Sequence, residues 1–153
     1  MEKRVGKSGG GPWYAVFRVC RQFERNARDE YPSLTVTNRR LGKKLWREYR
    51  LKIHLPEYDA THSVTIKLFS STQSMPEVKV DGCDDSPHRY DNGQLCMWYP
   101  WTGKSQRWVF EDGLLHLLVL TEAHLFREEW WRETGEWLGP ERPHEQISAS
   151  NCS

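Results

Sequence analysis

Tyr49-Arg50-Leu51-Lys52-Ile53-His54-Leu55 alternates apolar and polar side chains without a break. Successive side chains of a strand leave opposite faces of the pleat, so Tyr49, Leu51, Ile53 and Leu55 share one face and Arg50, Lys52 and His54 the other. One face buried and one solvated is the pattern of an antiparallel sheet covered on a single side. Working outward, Ser63 to Phe69 repeats the alternation through Val64, Ile66 and Leu68, while Leu34 to Thr37 and Glu77 to Val80 are shorter β-rich runs. Gly42, Pro56 and the cluster Ser70-Ser71-Thr72 punctuate these runs. The spacing predicts strands over 34–37, 45–55, 63–69 and 77–80, joined as a four-stranded antiparallel meander.

Helical signals lie on either side. Trp13, Tyr14, Phe17, Cys20, Arg21 and Ala27 recur at helical spacing, with Phe23 beside them and Arg18, Arg25 and Asp29 on a charged face. An amphipathic helix over 13–28, ended near Pro32, follows. Downstream, Asp112 is placed to cap a helix that carries Leu114, Leu115, Leu117, Leu118 and Leu120 and runs to about Phe126, and this apolar helix should cross the sheet. The fold class is therefore α+β. Residues 13–140 are expected to form one domain, with 1–12 a flexible, glycine-rich lead and 141–153 a polar, disordered tail.

Composition narrows the function. With 153 residues, 37% of them hydrophobic, and eight tryptophans, the chain can build a real core. Its 22 basic residues nearly balance 21 acidic ones, so no global field recruits nucleic acid or an anionic membrane. Residues 1–12 hold no apolar run that could serve as a secretory signal, and no segment reaches membrane-spanning length, so a cytoplasmic protein is expected. In such a compartment Cys20, Cys83, Cys96 and Cys152 should be thiols. Gly6-Lys7-Ser8 lacks the earlier glycine and the strand of a phosphate loop and reads as linker.

The chemistry concentrates in Ser86-Pro87-His88-Arg89-Tyr90-Asp91-Asn92-Gly93-Gln94-Leu95-Cys96. An Asn-Gly turn just ahead of Cys96 can lift a thiol out of a packed loop, and His88, eight residues upstream, can return over it to donate a hydrogen bond, move a proton or steady an oxyanion. The bland alternative is a small core cysteine between Leu95 and Met97. Cys83, His88 and Cys96 could together offer three zinc ligands, but their spacing is unlike paired knuckles, so no metal and no cofactor is expected. Trp98, Tyr99, Trp101, Trp108, Trp130, Trp131 and Trp137 form an aromatic zone, most of it core, with one or two left to line a groove for an extended peptide.

This segment resembles the active-site loop of ubiquitin-conjugating enzymes. Ser86-Pro87-His88 falls on their His-Pro-Asn tripeptide, and Asn92-Gly93-Gln94-Leu95-Cys96-Met97 on the turn and cysteine. Ser86 replaces the family's histidine and His88 its asparagine, the residue credited with oxyanion stabilisation. The runs from Cys96 through Trp98-Tyr99-Pro100-Trp101 and from Glu129 to Pro140 are similar to the stand-alone conjugating protein of type II CBASS antiphage operons. The resemblance implies a ubiquitin-conjugating-enzyme (UBC)-like fold: N-terminal helix, four-stranded antiparallel meander, cysteine loop, central helix. It implies catalytic roles for Cys96 and His88. Cys96 would carry as a thioester the C-terminus of a cGAS-like nucleotidyltransferase, passing it to a protein lysine or other amine. An acidic residue among Glu128, Glu129 and Glu133, placed after the central helix, would guide that amine. Two other readings remain open: a Cys-His hydrolase of peptide or isopeptide bonds, and a non-catalytic scaffold for the nucleotidyltransferase.

Overall fold

The computed structural model describes residues 17–69, 75–98 and 107–139. Helix α1 spans Phe17–Glu30, strands β1 to β4 span Thr35–Leu41, Lys44–Leu55, Ala60–Phe69 and Glu77–Val80, and helix α2 spans Gly113–Thr134 after a 3-10 turn at Phe110–Asp112. The sheet is antiparallel in the order β1-β2-β3-β4, the meander expected from the alternation. The expectations for 1–12 and 141–153, the aromatics Trp13, Tyr14, Tyr99 and Trp101, and the 70–72 turn cluster lie outside the described residues.

Register explains which face is buried. Tyr49 pairs with Ile66 and Leu51 with Val64, while Ile66 and Val64 pair in turn with Val78 and Val80. These side chains, with Ile53, Leu55 and Leu68, form the inner layer. Leu114, Leu117, Leu118 and Leu125 of α2 and Cys20 and Ala27 of α1 cover it. Each fully buried leucine is worth about 1.5–3 kcal/mol in desolvation, which makes this layer the main stabilising term. Arg50, Lys52 and His54 are exposed on the other face. Tyr31, just past α1, donates to Glu122 Oε2 at 2.8 Å and ties the two helices together.

The strands run longer than the alternation alone marks. Register carries β1 to Leu41 and starts β2 at Lys44, because Leu41 and Lys44 close a two-residue turn at Lys43 with Gly42 at φ +61°. Helix α2 departs more. It continues eight residues past Phe126, to Thr134, and so includes Glu128, Glu129 and Glu133, which the sequence reading sets after it. The apolar stripe Leu114, Leu117, Leu118 goes on at helical spacing as Thr121, His124, Leu125 and Glu128, all buried. Polar side chains occupy the stripe, so periodicity of apolar residues stops before the helix does. The stop signal is Gly135 at φ +76°, whose N–H reaches Trp131 O at 2.7 Å. Asp112 occupies the N-cap position but gives no side-chain cap to α2; its Oδ2 instead accepts from Val109 N at 3.0 Å and closes the 3-10 turn.

Cys20 and Cys96 are thiols outside any disulfide, whereas Cys83 is disulfide-bonded. This corrects the all-thiol expectation, which rested on the expected compartment and on the lack of close cysteine pairing in sequence.

Candidate active site

Residues 88–96 form a short hairpin. Arg89 bridges Leu95, Tyr90 N donates to Gln94 O at 2.8 Å, and Cys96 N donates to His88 O at 2.9 Å. Gly93 N closes a turn onto Tyr90 O at 2.8 Å. Asp91 and Asn92 are therefore the central turn residues, and Gly93, at φ +83°, takes the left-handed position that completes the three-residue loop. Asn92 Oδ1 accepts from Gln94 N at 3.0 Å and stiffens the tip. The second arm docks on the sheet where Leu95 N donates to Val78 O at 2.9 Å. The backbone thus brings Cys96 and His88, both singled out from sequence, opposite one another.

Their side chains are not presented as expected. The turn exposes its own tip, Asp91 and Asn92, while Cys96 lies at the base of the arm and is only 5% exposed. The expectation of a solvent-reachable thiol is corrected: Leu95 anchors the arm in the core, and the cysteine follows it inward. Burial pushes the Cys96 thiol up, and a hydrogen bond from Tyr90 offsets part of that rise. Cys96 Sγ also approaches Trp98 O at 3.9 Å. His88 is buried as well. Its N–H donates to Ser86 Oγ at 3.1 Å, and its ring lies 4.1 Å, centroid to centroid, from Trp137. Trp137 also meets the ring of His124 at 5.3 Å, and His124 hydrogen-bonds the His88 backbone.

Helix α2 holds the hairpin from below through charge. Arg89 Nε donates to Glu128 Oε2 at 2.7 Å and Arg89 Nη2 to Glu128 Oε1 at 2.9 Å, a bidentate pair with both side chains buried. The same guanidinium donates to Gly93 O at 3.2 Å and Cys83 O at 3.4 Å, so it grips the hairpin tip and the incoming chain at once. Arg132 adds bonds to Asp85 O at 3.0 Å and Cys83 O at 3.2 Å. Glu128 resists protonation: burial raises its pKa, but the hydrogen bonds of Arg89, with help from His124 and Ser86, bring it below the usual carboxylate value. His124 Nε2 lies 3.8 Å from Glu128 Oε2, and burial nevertheless lowers the His124 pKa to about 4, so the ring is neutral at pH 7.

The acidic candidates separate accordingly. Glu128 is fully buried against Arg89, and Glu129 is engaged by Arg132 at 2.9 Å and His62 at 3.3 Å; of the three, Glu133 is the exposed one. Among the tryptophans, Trp108 is core, donating from Nε1 to Gly113 O at 2.8 Å, whereas Trp137 packs against His88. Trp98 lines a cleft of about 640 Å³ that opens on the Leu95 and Met97 side of the hairpin, with Tyr90, Asn92, Phe69 and Met75 around it. Sequence reasoning missed Arg89, Tyr90 and His124. The signal for the buried pair was a carboxylate at a stripe position of α2 and an arginine inside the loop that must lie against it. Among the described residues no group of three His, Cys, Asp or Glu side chains is arranged to hold a metal ion. Nor is any described helix long and apolar enough to cross a membrane.

No curated protein and no solved structure matches the chain. A family model, described as type II CBASS E2 protein, matches residues 17–145.

Proposed function

Because this chain belongs to the type II CBASS E2 protein family, we propose that it is a ubiquitin-conjugating-like acyl carrier whose thioester forms on Cys96. The observation that carries the reading is the position of Cys96, a thiol outside any disulfide in the second arm of a hairpin, bonded through its backbone to His88 and clamped to α2. The order of helix, meander, cysteine hairpin and helix supports a UBC-like fold.

In the proposed reaction the Cys96 thiolate attacks the activated C-terminal carbonyl of a cGAS-like nucleotidyltransferase, and the activating group leaves with its electron pair. The thioester that results lacks much of the resonance of an amide and stays open to a neutral amine. A lysine or other amine then adds to the carbonyl and loses a proton, and the Cys96 thiolate departs. His88 is the candidate to accept that proton or to donate to the tetrahedral oxyanion. Activation of the carboxylate comes from another protein. Since Cys96 is 5% exposed, loading requires the groups over the sulfur to part, and docking of the donor tail is the event that supplies this.

The test is intact-mass analysis after incubation with activated donor and amine acceptor. Wild type should gain a donor adduct that reductant removes, Cys96→Ser a slower, reductant-resistant oxyester, and Cys96→Ala neither. His88→Ala should slow transfer at least as much as loading. Absence of any Cys96-dependent adduct would end the carrier reading, and release of free carboxylate in excess amine would turn it into hydrolysis.

A further inference from the structure

Tyr90 sits in the first arm of the hairpin, and its hydroxyl donates to Trp98 O at 3.3 Å. Cys96 Sγ approaches that same carbonyl oxygen at 3.9 Å, and the Tyr90 hydroxyl also hydrogen-bonds the sulfur. One acceptor is therefore shared by two neighbouring donors that can also bond each other. The Tyr90 ring is 36% exposed and lines the cleft beside Leu95, Met97 and Trp98. Its hydroxyl is thus a polar group standing between the cleft and the buried thiol.

We infer that Tyr90 is a catalytic residue of the acyl transfer: its hydroxyl turns from the Trp98 carbonyl to the Cys96 sulfur when the thiol ionises, and holds that sulfur anion as it attacks and again as it leaves. This rests on the acyl-carrier reading of Cys96. The step balances simply. The thiol proton passes to water or buffer, the sulfur keeps the bonding pair, and Tyr90 keeps its own proton while exchanging one acceptor for another by rotation about its C–O bond. Trp98 O, having lost both donors, turns to water in the cleft. A charged acceptor gains more from one hydrogen bond than a neutral one, so the exchange favours the anion.

The environment makes this assistance necessary. Burial raises the cost of a sulfur anion, and the Tyr90 bond opposes that cost. Among the described residues, the titratable groups nearby each have a contact of their own. His88, across the hairpin, packs its ring on Trp137; His124 lies against the same Trp137, and Glu128 is bound to Arg89. On the cleft side, Asp91, Lys44 and Glu77 line the wall. A tyrosine that only packed would be replaced by phenylalanine without chemical effect, since the ring and its cleft surface are kept.

The decisive experiment titrates Cys96 directly in the folded, full-length protein carrying 13Cβ-labelled cysteine, with the resonance assigned through Cys96→Ser. In Tyr90→Phe the ionisation midpoint should rise by about one pH unit, and Cys96 adduct formation at pH 7 should fall on the order of tenfold, recovering at higher pH. Replacing Tyr90 by 3-fluorotyrosine, a stronger donor of nearly the same shape, should move the midpoint down. An unchanged midpoint in a Tyr90→Phe protein with wild-type melting overturns the inference, as does an unchanged midpoint in the fluorotyrosine protein should Tyr90→Phe melt early. The titration uses no acyl donor, so it stands or falls separately from the demonstration of a Cys96 adduct.

Discussion

At the scale of single residues, the hairpin's geometry depends on one buried ion pair. A carboxylate and a guanidinium removed from water lose several kcal/mol of hydration each and recover it only through close, saturated contact. Arg89 and Glu128 achieve this with two parallel bonds, and the rest of the guanidinium finds Gly93 and Cys83 carbonyls. Truncation of Glu128 to Ala should therefore cost about 3–5 kcal/mol in urea unfolding, because Arg89 is left charged and unpaired beneath the hairpin. The double variant Arg89→Met, Glu128→Leu should lose clearly less than Glu128→Ala alone; an equal or greater loss would show that the charge pair is not what matters there. That Cys96 and His88 face each other across a reversal was legible from sequence because turn chemistry is local: Asn92-Gly93 marks the turn. The partner of Arg89 was not, since it lies 39 positions away and nothing local says that a helical glutamate is buried. The burial of Cys96 was hidden for a related reason. A turn places the backbone of an arm, but whether the arm sinks or stands out is decided by Leu95 meeting a core assembled from other elements.

At the scale of elements, two glycines bound α2 and do different work. Gly113 opens the helix at φ +85° and Gly135 closes it at φ +76°. A methyl group at Gly135 meets a left-handed backbone, about 1 kcal/mol, and at Gly113, with ψ 172°, a region that side chains avoid more strongly, about 1–3 kcal/mol. Only at Gly113 would it also meet a neighbour, with Phe23 Cε1 of α1 at 2.6 Å from the added carbon. At Gly135 it would meet nothing within 4 Å. Gly113→Ala should thus lower the melting temperature more than Gly135→Ala, and the excess should shrink when Phe23 is reduced to Leu. A Gly113→Ala loss that Phe23→Leu leaves unchanged would mean that α1 does not press on the start of α2. The contrast also shows why the meander was readable and the helix ends less so. Alternation in β2 writes burial directly into seven consecutive residues, whereas α2 is buried along a stripe whose second half mixes Leu125 with Thr121, His124 and Glu128.

At the scale of the whole molecule, these buried polar groups link folding to pH with a definite sign. Burial lowers the pKa of His124 to about 4, with Glu128 pulling the other way and His88 and Arg89 adding to the fall. Burial also lowers that of His62, against the pull of Glu129. An unfolded chain protonates both histidines near the ordinary value of 6.5. Below that value the unfolded state binds more protons than the folded one, so stability falls as pH falls. For His124 the loss begins near 6.5 and is complete near 4, amounting to about 3 kcal/mol over the window. Glu128 acts in the same direction but lower: its depressed folded pKa gives stability that is present above the unfolded carboxylate value and lost as acid protonates it. The expected outcome is a urea midpoint that drops between pH 7 and pH 5, before ordinary carboxylates titrate. His124→Gln, which keeps a hydrogen-bonding side chain but cannot take up the proton, should start from a lower midpoint at pH 7 and decline less steeply over this range. A wild-type midpoint that stays level from pH 7 to pH 5 would mean that His124 is not held neutral behind Trp137, and that α2 meets the hairpin through a looser, hydrated contact.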